Sequence, residues 1–455
     1  MLKTLGLLCC ISSLLVEAAV LPFSSDVPLL TAEHLHSHYW LTSNKHDQLL
    51  LNPQQITERN SQTFKLQPEL QALQNLPAIL SKAELADKIQ RVSAKAGTSR
   101  FYADGTELND SDWQRYQALL ALDTLQPANA VQFGLVVKRT ALRAFPTLDR
   151  VFNQQMNTDL DRFSETALFP AEPVAVLHKS RDANWLLVQS YNYSGWVLSR
   201  DIAIGDRQQI LAYSQREPFL VVTGAKISTA FNPEISAISE LQLEMGVRLP
   251  LLSAADTGHK LYGQNPAASY IVQLPQRLHD GSLSLIPALI PRSSDVSTGY
   301  LAFTERNIVG QAFKFLGERY GWGHDYNGRD CTGFISEIFR SFGLLMPRNS
   351  GQQGNGSFGR NTRFTADGSP SDKLAALAQL QIGDLLYFPG HVALYLGHSN
   401  NEVFMIHDVN TLIYPVQSGM YHGSLNGVAV TPLQPLYANA QQSYLQALYA
   451  IKSLR

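Results

Sequence analysis

The residue types in this sequence with most capacity for chemistry are one cysteine and two histidines that follow it on strand-like segments. Cys331 stands in "NGRDCTGFISEIFRSFG", His391 in "GHVALYLG" and His407 in "FMIHDV". A thiolate is a nucleophile, one imidazole can take its proton and return it to a leaving amine, and a second can orient the first. The chain has three cysteines and twelve histidines, so position must single these out. Cys9 and Cys10 fall in an N-terminal apolar stretch that reads as removable, which leaves Cys331 without a disulfide partner. A lone cysteine accompanied by histidines is a candidate nucleophile; the bland reading is a buried thiol packed as a small hydrophobe. Without a close-spaced ligand pair, one cysteine and two histidines match a zinc site poorly, so no metal is expected.

The elements around these residues favour the first reading. After Cys331, the apolar residues Phe334, Ile335, Ile338, Phe339 and Phe342 recur at helical spacing, ending near Gly343 with Pro347 beyond. Cys331 then sits in a first turn, where unpaired N–H groups and the helix dipole favour the thiolate, so a lowered pKa is expected. Asp330 can cap this helix, and the glycines of "YGWGHDYNG" permit a tight loop into it. Downstream, 384–388, 391–396 and 403–408 read as short strands, with Pro389–Gly390 as the first turn. Pairing Leu396 with Glu402 would set His391 directly opposite His407, with Cβ atoms roughly 4.5–5.5 Å apart. A slip of one residue would put them on opposite faces.

"RDCTGF", "MPRNSGQQ", "GDLLYF", "GHVALYLG" and "FMIHDV", in that order, resemble the NlpC-type family of bacterial cell-wall cysteine endopeptidases, compact relatives of papain. The resemblance covers about residues 300 to 440. It implies Cys331 as nucleophile, His391 as base, His407 as the third polar residue, and Asp330 as a group that helps hold a free substrate amine. Thr332 replaces the commoner serine; Tyr320 and Arg348 are expected beside the substrate. The resemblance also implies hydrolysis of peptidoglycan stem peptides between γ-D-glutamate and a diamino acid, commonly diaminopimelate, without a cofactor.

Ahead of that region, "GLVVKRTALRAF" and "FLVVTGAKISTAF" form a weak internal repeat, each opening a run of short alternating strands. A D-x-x-W followed by G-W-V resembles bacterial SH3-like domains, so 128–205 and 206–297 are read as two small SH3-like β-barrels. By the same resemblance Tyr193 of "YSGWV" would lean over the cleft, with Glu165 or Glu172 as an acidic partner for the amine. Residues 20–127 have helical periodicity and read as a mainly helical N-terminal stabilising region. The expected architecture is α+β, with a papain-like NlpC-type catalytic domain over 298–455. Within it, 355–372 reads as a polar loop.

Lys3, the apolar run after it and the small residues near Ala18 read as an export signal over 1–19, too short to span a bilayer. The expected location is the periplasm or the exterior, with no stable membrane insertion after cleavage. An apolar fraction of 45% with 16% charged residues describes an ordinary folded protein, and a net charge of −2 offers no reason to expect nucleic acid. The expected partner is a stem peptide or muropeptide, met by a monomer. Two alternatives stay open: a non-catalytic wall-binding adaptor, and a wall amidase or amide-processing transferase on the same fold.

Overall fold

The computed structural model describes residues 23–365 and 368–455. Residues 1–19, expected to be an export signal, lie outside the described residues. Three helices dominate the region before the first sheet: α1 (Pro53–Leu66), α2 (Lys82–Val92) and α3 (Asp110–Leu119). Asn52, Ser81 and Asn109 precede them, each side chain accepting from a backbone N–H of the first turn. Those donors have no partner inside the helix, which is why these residue types start helices.

The next segment holds seven strands: β1 (Gln132–Val136), β2 (Thr140–Arg143), β3 (Ser164–Leu168), β4 (Pro173–Lys179), β5 (Trp185–Gln189), β6 (Ser194–Leu198) and β7 (Ile202–Gly205). They form one antiparallel sheet in the order β3-β2-β6-β5-β4-β1-β7. Helix α4 (Arg207–Gln215) leads into β8 (Phe219–Val222), β9 (Lys226–Ser228), β10 (Gln242–Glu244), β11 (Arg248–Leu252), β12 (Ser269–Arg277), β13 (Leu283–Pro291) and β14 (Val296–Thr298). Here the order is β13-β12-β11-β8-β14, with β9 and β10 pairing apart as a ribbon.

Closed barrels were expected, and both main sheets are open among the described residues. Their edges are occupied by neighbours instead. Ile204 of β7 bridges to Ser282 and donates to Gly281, while Ser164 of β3 lies against Gly323 ahead of the cysteine helix. An edge strand carries a row of unpaired N–H and C=O groups, and covering it by another segment satisfies them as closure would.

The C-terminal region contains α5 (Glu305–Phe313), α6 (Cys331–Arg340), α7 (Ser350–Asn355), β15 (Arg360–Arg363), α8 (Pro370–Leu377), β16 (Leu385–Phe388), β17 (His391–Ser399), β18 (Glu402–Val416), β19 (Gly419–Pro432) and β20 (Ala450–Ser453). The sheet runs β15-β20-β16-β17-β18-β19. The segment expected as a polar loop thus contains an edge strand, β15, paired with β20; its polar side chains hid a role carried by backbone alone. Helix α6 is buried from Cys331 to Phe339 and ends where Gly343 turns to φ +82° beside the Tyr300 ring, a spot with no room for a Cβ.

The N-terminal region belongs to two cores at once. Leu85, Ile89, Trp113 and Tyr116 join the apolar core of both β segments, whereas Trp40, Leu41, Leu51 and Ile56 join that of α6 and the C-terminal sheet. Trp40 lies against the backbone of Gly397, and its indole donates to the His34 carbonyl at 3.1 Å. His34 Nδ1 accepts from the Thr31 amide, so its Nε2 carries the proton and donates to Ser399 Oγ at 3.0 Å. That closes the strap over the β17–β18 turn. Removing a large buried ring leaves a cavity that costs about 3–5 kcal/mol. Trp40→Ala should therefore lower the stability of the whole chain by that order in urea denaturation, though no catalytic-type residue is changed.

Candidate active site

Two local features bring His391 and His407 together. Asn400 and Asn401 have φ of +51° and +66°, the left-handed pair of a two-residue hairpin turn, so Ser399 pairs with Glu402 and not Leu396. Continued unbroken, that register would put the two histidines on opposite faces of the sheet. A bulge at Leu396 inserts one residue between the Tyr395–Met405 and Gly397–Phe404 pairs and restores the parity. The histidines share a face diagonally, with His407 stepping opposite Ala393. Their rings meet: His391 Nε2 and His407 Nδ1 are 2.8 Å apart, and His407 Nε2 is 2.9 Å from Thr431 Oγ1. With His391 Nε2 as donor to His407 and His407 Nε2 as donor to Thr431, the lone pair on His391 Nδ1 is left free for a proton.

Cys331 is 6% exposed at the start of α6 and forms no hydrogen bond to either imidazole. The Val392 amide, next in chain to His391, is the backbone donor that favours its thiolate. The expectation of a lowered pKa is overturned. Burial, then the charge of Asp330, push the thiol up to about 12, outweighing the Val392 amide. Burial likewise takes His391 down to about 4, and His407 well below its ordinary value. The resting pair is a neutral thiol and a neutral imidazole. A helix start helps a thiolate only where water or cations reach it, and here the dominant effect is desolvation.

Asp330 caps α6 and is saturated. Oδ1 accepts from the Gly333 amide at 2.9 Å and Thr332 Oγ1 at 3.0 Å; Oδ2 accepts from Arg348 at 2.6 Å and the Gly323 amide at 3.1 Å. Despite burial, the Arg348 guanidinium holds this carboxyl well below the usual range. Arg348 also donates to Thr332 Oγ1 at 2.5 Å and, in the first β segment, to Thr166 Oγ1 at 2.6 Å and the Glu165 carbonyl at 3.3 Å. Tyr193 donates its hydroxyl to Glu165, whose carboxyl is raised by burial. Glu172, the other acidic residue considered, pairs with Arg340 at the far end of α6. Tyr320 is buried, and the charges of Cys331 and Asp330 add to burial in raising its phenol. Of the ten residues singled out from the sequence, Cys331, His391, His407, Asp330, Thr332, Tyr320, Arg348, Tyr193 and Glu165 gather around the start of α6, and Glu172 does not.

Others were missed. Tyr444 brings its ring centroid to 6.2 Å from His391 and 6.1 Å from His407, from a segment distant in sequence. Asp408, fully buried, has no hydrogen-bond partner for either oxygen, and burial raises it well above the carboxylate range. Glu337 was legible: a charged residue among Phe334, Ile338 and Phe339 on a buried helix needs partners, and it has Arg329 at 2.7 Å and His324 at 3.2 Å. A cavity of about 700 Å³ opens elsewhere, lined by Phe64, Glu172, Tyr191 and Arg340 among others, and shares no residue with this cluster.

Residues 317–429 match the sequence profile of the NlpC/P60 family, and residues 146–198 that of an SH3 domain of the SH3b1 type. The chain is 27% identical over 259 residues to a gamma-D-glutamyl-L-lysine dipeptidyl-peptidase of Bacillus cereus, a match covering 53% of this chain and 66%, just under two thirds, of that relative. It is 24% identical to dipeptidyl-peptidase 6 of Lysinibacillus sphaericus, over 50% of this chain and 74% of the relative. An NlpC/P60 endopeptidase structure from Photobacterium damselae subsp. piscicida superposes with a TM-score of 0.72 over 92% of this chain and 96% of its own, at 18% identity, and so shares the fold.

The buried imidazoles make stability depend on pH in a stated direction. His391 and His324 are both held at about 4, below their ordinary 6.5, so between those values the unfolded chain binds more protons. Stability should fall as pH drops from 6.5 towards 4, by about 1.4 kcal/mol per unit for each such group. Glu337, held at about 2 by Arg329 and His324 against its burial, adds a further loss below about 4.5. Urea midpoints between pH 7.5 and 4 check this. In the same protein, iodoacetamide labelling of Cys331 should pass through about pH 8.5, where an unperturbed thiol titrates, without an inflection and keep rising above it.

Proposed function

We propose that this chain, which carries an NlpC/P60 domain and an SH3b-type domain, is an exported cysteine endopeptidase that hydrolyses the γ-D-glutamyl–diamino acid bond of peptidoglycan stem peptides and prefers a free N-terminal L-Ala. The observation that carries the reading is the joint site. Arg348 ties the cap of the nucleophile helix to Thr166 and the Glu165 carbonyl of the preceding sheet, so the element that carries the thiol and the strand that carries an acidic group are held side by side. The names of the Bacillus and Lysinibacillus relatives support the peptidase class, and the name of the Bacillus relative supports the γ-D-glutamyl bond.

Attack begins from the neutral pair. His391 Nδ1 takes the proton of Cys331 as Sγ adds to the γ-glutamyl carbonyl, and His407 holds the ring through Nε2. The Cys331 amide, unpaired in the first turn of α6, is a donor for the developing oxyanion. His391 then protonates the amine of the departing diamino acid, leaving a thioester on Cys331. Water, deprotonated by the same imidazole, hydrolyses it. Burial leaves His391 unprotonated and able to accept at neutral pH, but the raised thiol does not give up its proton to so weak a base at rest, so the transfer accompanies Sγ addition to the carbonyl.

Specificity follows from Glu165. Its carboxyl is partly buried with a tyrosine hydroxyl as partner and is raised by that burial despite the charges of Arg348 and Arg143, so an ammonium delivered by the substrate would favour its ionised form. Asp330 is already saturated, so its part is to hold Arg348 and contribute negative field. An acylated amine would leave Glu165 uncompensated.

Mass spectrometry of digests of L-Ala-γ-D-Glu-diaminopimelate peptides tests the reaction directly. Cys331→Ala should abolish cleavage, and His391→Ala should lower kcat by about 10²–10⁴, whereas His407→Asn, which keeps a polar orienting group, should cost less. The free peptide should exceed its N-acetylated form by about tenfold to a hundredfold in kcat/KM, and Glu165→Gln should erase most of that ratio. Equal rates on the two peptides would refute the amine subsite.

A further inference from the structure

The loop that delivers Cys331 runs through backbone that its own residues disfavour. Gly323, His324, Tyr326 and Asn327 have φ of +56°, +65°, +54° and +56°. Three of the four carry side chains, and left-handed backbone outside glycine persists only where surroundings enforce it. The enforcing contacts come largely from the two β segments that precede the domain.

Arg139, between β1 and β2, donates to the carbonyls of both His324 and Gly328 at 2.8 Å, clasping the loop at two points. It is anchored at 3.1 Å by Glu244 of β10, a fully buried carboxylate whose second oxygen has no partner. Gln242, on the same strand, exchanges a reciprocal amide pair with Asn327 at 2.7 and 2.9 Å. Lys226 of β9 donates to the Asn327 carbonyl and pairs with Glu318 at 3.3 Å. Ala225, just before β9, accepts from Arg329 at 3.0 Å, and Arg329 is itself bonded to Glu337 of α6. The β9–β10 ribbon thus lies fastened along the loop and, through Arg329, to the helix beyond it.

We propose that this ribbon of the second β segment, acting with Arg139, is a positioning device for the nucleophile, and that Gln242, Glu244, Lys226 and Arg139 hold loop 321–330 in the conformation from which Cys331 starts its helix. The inference rests on reading Cys331 as the nucleophile. None of the four residues bonds to Cys331, His391 or His407, so their action is indirect. Gly323 donates to Asp330, and a relaxed loop therefore re-aims the cap and shifts Sγ against His391. Misplacement by about 1 Å is enough to cost on the order of a hundredfold in rate. In this account the second segment serves catalysis from outside the cleft, a role distinct from binding wall material.

The test uses the full-length chain with Gln242→Ala, Glu244→Gln and Glu244→Ala. Gln242 is partly exposed, so its alanine variant removes the amide pair, together with its 2.7 Å donation to Glu244 Oε1, at little cost in packing. Expected for Gln242→Ala are an unchanged circular dichroism spectrum, a kcat lowered by about tenfold or more with KM within about twofold, and a parallel fall in the rate of Cys331 alkylation at fixed pH. Glu244→Gln keeps an acceptor for Arg139 and should retain most of the parental rate, while Glu244→Ala should lose it. Parental kcat and alkylation rate in folded Gln242→Ala would overturn the proposal, as would a loss that merely tracks the unfolded fraction. Alkylation reports on the loop independently of substrate. A parent without peptidase activity whose alkylation still slows in Gln242→Ala would remove the substrate reading and leave the clamp standing.

Discussion

The buried pair of Asp330 and Arg348 is the constraint on which the site depends. Two charges taken out of water are a net cost unless each finds every partner it can use. Here the carboxylate has four donors, and the guanidinium reaches Asp330, Thr332, Thr166 and the Glu165 carbonyl. Satisfying both ions forces three things together: the start of α6, the strand that carries Arg348's acceptors, and the loop through Gly323. Breaking either partner would strand a buried charge, so the first β segment is locked against the helix that bears the thiol.

That lock explains the electrostatics of the thiol. The residue before Cys331 is a carboxylate held ionised by Arg348, and Asp408 lies nearby without a cation of its own. Burial and the Asp330 carboxylate outweigh the helix terminus, and the imidazole pair is buried as well. A neutral resting site follows. Burial also shields this thiol, the one free cysteine among the described residues, from solvent-borne oxidants.

The same economy of contacts runs through the remainder of the fold. Neither β segment closes its main sheet; the open edges instead meet neighbouring segments at Ile204 and Ser164. The N-terminal region contributes Trp40 and Leu51 to one core and Trp113 and Tyr116 to another, so it staples regions that a linear reading treats as separate. Ion pairs such as Arg139 with Glu244 and Arg340 with Glu172 cross those boundaries in largely buried surroundings, where truncating one partner is expensive. The parts are held as one body by interactions that none of them could make alone.

By itself the sequence determined whatever depends on neighbours along the chain. The period of Phe334, Ile335, Ile338 and Phe339 specified α6, Asp330 specified its cap, and alternation specified the strands bearing His391 and His407, because helix and strand periods are local properties. It also marked Cys331 by elimination. The histidine register was reached through a wrong pairing: Asn400 and Asn401 make a two-residue turn, and only the bulge at Leu396 returned the imidazoles to one face. Tertiary structure alone decided that Glu165 and not Glu172 faces Tyr193, since both glutamates are equally plausible in a line of text. It alone supplied Tyr444, Thr431 and the Arg139–Glu244 pair, which come from distant segments. And it reversed the expected ionisation of Cys331, because a helix terminus is visible in sequence whereas desolvation is a property of everything packed around the thiol.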